Sequence, residues 1–176
     1  MSADRIYNVL FLCTGNSARS VLGEALLNHV AGDRFHAYSA GSTPKGQVHP
    51  MTLAVLSQAG ISTEGLRSKA WDEFAVPGAP KMDFVFTVCD NAAGEACPVW
   101  PGQPMTGHWG IEDPAAVDGP EFARRAAFED ALRFMRNRIT AFINLPLESI
   151  NRIALGSRLR NIGAMDGGTS KASGGA

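Results

Sequence analysis

No apolar run in this 176-residue chain approaches the roughly 20 residues needed to cross a bilayer. The N-terminus has no charged-then-apolar leader either: Ile6 to Leu12 is only of strand length, and Cys13 follows at once. A cytoplasmic location is the expectation, with no membrane partner. Charge is also in short supply. Charged residues make up 19% and the net charge is −1, so no long-range field draws the molecule to nucleic acid. Lysine is scarce, 4 residues against 12 arginines, and the arginines between 124 and 160 read as solvated faces of late helices. There are only 3 cysteines, an odd number that fits free or cycling thiols better than a disulfide framework. His29, His36, His49 and His108 are scattered, and no second ligand pair joins Cys89 and Cys97 at zinc spacing. No bound metal is expected.

What is present is enough apolar residue, 45%, for one domain with a sizeable core. Tyr7 to Leu12 reads as a fully buried strand. Ala18 to Ala31 reads as a helix with Leu22, Ala25, Leu26 and Val30 on one stripe and Gly32 as its stop. Phe35 to Ser39 is a second strand. His49 to Ala59 is a second helix, with Pro50 in its first turn. Asp83 to Val88 is a third strand and Thr106 to Trp109 a shorter fourth. A long helix opens near Asp118–Glu121, carries Phe128, Ala131, Leu132, Met135, Ile139, Phe142 and Ile143 inward, and ends by Pro146. Residues 149–162 read as an amphipathic helix through Ile150, Ile153, Ala154, Leu155 and Leu159. The Gly-, Ser- and Ala-rich stretch 163–176 reads as a disordered tail. The division expected is a domain over 1–148, a helical extension over 149–162 and that tail.

Strands alternating with helices predict an α/β fold: a four-stranded open parallel sheet with helices on both faces. Ligands of such sheets sit beyond the carboxyl ends of the strands. Cys13 and Cys89 each follow a strand directly, and Asp113 lies just past the fourth. Topology alone places these three on one rim.

Cys13-Thr14-Gly15-Asn16-Ser17-Ala18-Arg19-Ser20 joins the first strand to the first helix. An arginine six places after a cysteine is common by itself; a buried strand before it and a helix after it make the spacing informative. Gly15 lets the chain turn, while Asn16, Ser17 and Ser20 can brace the loop. Loop amides and the helix N-terminus favour negative charge, which is expected to lower the Cys13 pKa. Arg19 offers a planar fork to two oxygens of a phosphate or arsenate, and Ser20 or Thr14 offers a hydroxyl to the Cys13 sulfur. The bland reading is a buried structural cysteine ahead of an ordinary helix, which has no use for a Gly-Asn-Ser loop and an arginine at this place.

Val9 to Ser20, Tyr38-Ser39-Ala40-Gly41 and His108-Trp109-Gly110 with Asp113-Pro114 together resemble the arsenate reductases built on the low-molecular-weight tyrosine phosphatase fold, over about residues 5 to 145. The resemblance implies that Cys13 is the nucleophile, that the loop from Thr14 to Ser20 binds the oxyanion, and that Asp113 protonates the leaving oxygen. Glu112 is the competing carboxylate, and a turn-forming aspartate before proline is the bland reading of Asp113. Ala115 and Ala116 stand where phosphatases of this fold carry aromatic residues, which suggests a small inorganic anion.

The other cysteines bear on the reaction. A phosphatase needs one thiol, because water resolves its phosphoenzyme. Reducing arsenate takes two electrons, which thiols supply by ending as a disulfide. The resemblance implies a relay in which Cys89 attacks Cys13, arsenite leaves, and Cys97 then frees Cys13. No cofactor is bound; an external thiol reductant restores the cysteines. Cys89 and Cys97 stand one residue further apart than in the best-known relatives, and the reductant stays open among thioredoxin, glutaredoxin with glutathione, and mycothiol. Phosphate and sulfate would compete with arsenate. The alternatives are a phosphatase acting through a Cys13 phosphoenzyme, and an anion-binding protein without turnover. Some relatives hold potassium through residues matching Asn16, Glu24 and Ser39, with a threonine and an aspartate where Arg67 and Lys69 stand here; a Lys69 ammonium could take the cation's place and pair with Glu24, or Lys69 is simply a solvated lysine.

Overall fold

The computed structural model describes residues 5–90, 92, 100 and 102–169. Four strands, β1 (Tyr7–Cys13), β2 (Phe35–Gly41), β3 (Phe84–Thr87) and β4 (Met105–His108), form one sheet in the order β2-β1-β3-β4. Every pairing is parallel. The helices are α1 (Arg19–Ala31), α2 (Pro50–Gln58), α3 (Glu121–Ile143) and α4 (Arg152–Gly163), with 3₁₀ turns at Trp71–Phe74 and Pro114–Ala116. Among the described residues, no helix is long and apolar enough to cross a membrane.

Strand alternation sorts the core into two layers. Val9, Phe11, Phe84 and Phe86 join α1, α2, α3 and α4 in the larger layer. Leu10, Leu12 and Val85 face the other way, onto Phe74, Met82 and Trp100. Among the described residues, helical segments thus cover both faces, unequally: α1 to α4 on one side and the 3₁₀ turn at Trp71–Phe74 on the other. Trp109 is fully buried just past β4, stacked on Phe86 at 3.7 Å between ring centres, with Phe142 edge-on to both. Its indole N–H donates to Leu159 O of α4 at 3.1 Å, which ties the C-terminal helix to the sheet.

Four details depart from expectation. Val30 is 40% exposed, and Leu27 takes its inward place on α1. Ile153 is 87% exposed, because α4 buries Leu155, Leu159 and Ile162 instead. Arg138 is fully buried rather than solvated. The start of the tail is packed: Gly168 bridges to Ile111 in antiparallel fashion, and Thr169 is buried. The disorder expected from 163 onward is therefore corrected for 163–169, while 170–176 lie outside the described residues. Backbone carbonyls of 163–169 find donors on Arg138, which is why a glycine-rich stretch stays in place.

The strand order decides where the site lies. The chain leaves β1 toward β2 on one side and returns to β3 on the other, so the topological switch point falls between β1 and β3. Leu12 pairs with Thr87 there, and Val88 N–H donates to Leu12 O at 2.8 Å. The next residues outward on the two strands are Cys13 and Cys89.

Candidate active site

The loop after β1 is built around Asn16, fully buried at φ +45°, the left-handed conformation that asparagine tolerates better than most residues. The turn expected at Gly15 is made by Asn16. Its amide donates to Ser20 Oγ at 2.8 Å and Ser39 Oγ at 3.0 Å, and its carbonyl accepts from Lys69 N–H at 2.8 Å. Ser17 O accepts from His49 N–H and the Thr52 hydroxyl, so the start of α2 pins the loop from the far side. Gly41 at the end of β2 lies flat beneath it; a Cβ there would strike Thr14 O and Cys13 O.

The second tier carries a charge of its own. Ser39 donates to Glu24 Oε1 at 2.7 Å, and the buried Lys69 places Nζ 3.4 Å from the same oxygen. Burial lowers the Lys69 pKa, and Glu24 pulls it back up. Arg67 turns outward to a forked contact with Glu73. The ammonium of Lys69 thus sits beside Glu24 and Ser39 rather than in solvent.

A cavity of about 540 Å³ opens above the loop, lined by Cys13, Thr14, Gly15, Ser17, Ala18, Arg19, Lys45, Asp113 and Ala115 among others. Asp113 lines this cavity, while Glu112 lines a neighbouring one instead, beside Arg19, Cys89 and Asp113. Asp113 Oδ1 accepts from Ala115 N–H at 3.0 Å and so caps the 3₁₀ turn, while Oδ2 lies 3.8 Å from Arg19 Nη2. Arg19 Nη1 donates to Ile111 O at 2.8 Å. Its Nε is buried without a protein partner, and such an N–H favours an acceptor brought in from outside.

Cys89 lies against Cys13. The Cys89 sulfur accepts from Thr14 N–H at 3.3 Å and Ala92 N–H at 3.4 Å, with the Thr14 hydroxyl at 3.5 Å. Thr14, expected to serve Cys13, turns its donors to Cys89, and Ser20 is engaged with Asn16. The neighbouring Cys13 is the largest influence holding the Cys89 pKa at about 5 against burial, ahead of Thr14 and Ala92. The neighbouring Cys89, together with burial, pushes Cys13 well up, against Arg19 and the Gly15 N–H. The lowering expected at Cys13 from the loop amides and Arg19 is opposed by burial and by its neighbour, and the two thiols titrate as a pair. Thiolate absorbance in the ultraviolet should then persist until the pH falls through about 5. Cys13→Ala should move that transition upward by removing the largest lowering influence. An unchanged transition in the variant would show that the two thiols do not titrate as a pair.

Of the residues singled out in sequence, Cys13, Arg19, Asp113, Cys89 and the loop Thr14–Ser20 come together at one rim. Cys97 lies outside the described residues. Residues that sequence reading missed include Asp90 and Thr169, which border a neighbouring cavity with Arg19, Cys89 and Asp113. No local pattern marks them, since tertiary packing of the C-terminal segment creates the contact.

A strand-end thiol in a braced loop of amides, with an arginine at the first turn of the following helix, defines a cysteine-based oxyanion-binding enzyme. The chain belongs to the low molecular weight phosphotyrosine protein phosphatase family, whose model matches residues 8–145. It is 34% identical over 134 residues to an arsenate reductase of Bacillus subtilis, covering 76% of this chain and 93% of that one. Its fold is similar to that of a thioredoxin-dependent arsenate reductase of Corynebacterium glutamicum, with a TM-score of 0.61 and 28% identity. That match covers 80% of this chain but 62% of the other, less than two thirds of its length. An arsenate reductase of Archaeoglobus fulgidus is 29% identical, with a TM-score of 0.57, covering 75% of this chain and 98% of that one.

Proposed function

We propose that the protein reduces arsenate to arsenite in the cytoplasm, with Cys13 as nucleophile and Cys89 as the thiol that resolves its adduct. The observation that carries this reading is the second sulfur at the switch point, on the strand end beside that of Cys13 and given its own donors by Thr14 and Ala92. A hydrolase resolving its intermediate with water has no use for it.

Arsenate binds in the loop amides and the Arg19 fork. Cys13 attacks as the thiolate, its proton passing to Cys89. The sulfur–arsenic bond forms, and one arsenate oxygen leaves as water on a proton supplied by Asp113. Cys89 then gives up its proton and attacks the Cys13 sulfur. The sulfur–arsenic bond breaks with its electron pair kept by arsenic, which falls from As(V) to As(III). Overall, one arsenic acid and two thiols give one disulfide, arsenous acid and water. In the last steps Cys97 takes over the disulfide from Cys13 by attacking Cys89, and an external thiol reductant closes the cycle.

The similarity to a thioredoxin-dependent enzyme supports thioredoxin as that reductant. The test is arsenite formation by purified protein supplied separately with thioredoxin, glutaredoxin plus glutathione, or mycothiol. Sustained turnover is expected with thioredoxin and its reductase. Turnover only with glutaredoxin or mycothiol would change the donor, and none with any of the three would remove the reductase reading.

A further inference from the structure

Asp90, the residue directly after Cys89, is gripped from two sides. Its Oδ1 accepts from the Thr169 hydroxyl at 2.6 Å and lies 2.7 Å from His108 Nε2, at the end of β4. His108 is oriented in turn by the Thr87 hydroxyl, 2.7 Å from Nδ1. The three groups converge over Gly110, where a Cβ would fall among the Thr169 hydroxyl, His108 Nε2 and the Asp90 carboxylate. Thr169 N–H donates to Gly110 O at 3.0 Å, which completes the clasp.

The segment that delivers Thr169 lies beyond residue 145, where the family model stops. Its anchor is Arg138, whose guanidinium donates to the carbonyls of Gly163, Met165 and Asp166 as well as Phe134 of its own helix. A fully buried arginine spent on backbone carbonyls is a fixed anchor, because releasing the segment would strand the charge. Thr169 then forms part of the wall of the cavity shared by Cys89, Arg19 and Asp113.

We propose that Thr169, carried by the C-terminal segment, is a positioning residue for Cys89. By holding Asp90 against His108, it fixes the first peptide after Cys89 and keeps that sulfur aimed at Cys13. This rests on the reading of Cys89 as the resolving thiol. The first disulfide requires two Cα atoms about 5.5 Å apart in one geometry, and small rotations of the peptide after Cys89 would spoil it.

The experiment uses the reduced full-length protein mixed with excess arsenate and no added thiol. The rate of the single arsenite burst is the readout, and the inhibition constant of phosphate reports anion binding. Thr169→Val should slow the burst about tenfold, the loss expected for one charge-assisted hydrogen bond. Thr169→Ser should restore it, and phosphate binding should stay within about twofold in both. Asp90→Asn, which weakens both arms of the clasp, should slow the burst at least as much. A wild-type burst in Thr169→Val or in Asp90→Asn would overturn the proposal, as would phosphate binding that falls in step with the burst. Failure of the underlying reading looks different: Cys89→Ser itself would give a full burst.

Discussion

Cys89→Ser is expected to reduce arsenite formation to background, in a single turnover as well as in the steady state, when no small thiol is present. Serine is close to cysteine in size, and its oxygen still accepts from Thr14 N–H, so the loop keeps its shape. What disappears is the second sulfur, and with it the electron pair that arsenic must gain. Arsenate still meets Cys13 and Arg19, so the inhibition constant of phosphate should change by no more than about twofold. Any weak hydrolysis of an aryl phosphate through Cys13 should survive, since water can resolve that adduct without help. The same variant separates the readings. A phosphatase would be indifferent to the change, and a protein that only binds anions would show neither activity in the wild type. Arsenite formed at the wild-type rate by Cys89→Ser would end the relay mechanism.

Much of this site is legible in the sequence because its parts are local. Val9-Leu10-Phe11-Leu12 is apolar at every position, as a central parallel strand buried on both faces must be, and Cys13 follows it directly. Strand–loop–helix order then brings Cys13, Cys89 and Asp113 to one rim with no knowledge of side-chain packing. Charge placement is different. The expectation for Cys13 counted loop amides and the helix end, but each sulfur is the largest influence on the other, and no spacing rule shows which of two thiols a threonine will face.

The C-terminal end was hidden for a related reason. Arg138 belongs to a helix with many exposed arginines, and composition cannot separate one buried guanidinium from its solvated neighbours. Once Arg138 is inside, its donors hold a glycine-rich segment that composition alone marks as disordered. Ile153 errs the other way: its place in an apolar series suggested burial, but α4 turns Leu155, Leu159 and Ile162 into the core instead. In each case a long-range contact overrode a local pattern.

Arg19→Lys is the second large effect expected, and it tests geometry against charge. Lysine keeps the positive charge, and Lys45 lines the same cavity, so the electrostatic pull on a dianion largely remains. What lysine cannot supply is the planar fork. In the wild type, Nη1 is fixed on Ile111 O, Nη2 leans toward Asp113, and Nε is buried with no hydrogen-bond partner among the described residues. Two N–H groups held at fixed spacing match two oxygens of a tetrahedral anion, and the match improves as those oxygens spread toward the equatorial plane of the transition state. Loss of that match should weaken phosphate binding by roughly tenfold and lower kcat/KM for arsenate by about 10²- to 10³-fold. The larger loss in kcat/KM is the diagnostic part, because a charge that only attracted the anion would lower both by the same factor. Equal losses in Arg19→Lys, or a kcat/KM close to wild type, would show that Arg19 contributes charge alone and that the buried Nε has no part in holding the reacting anion.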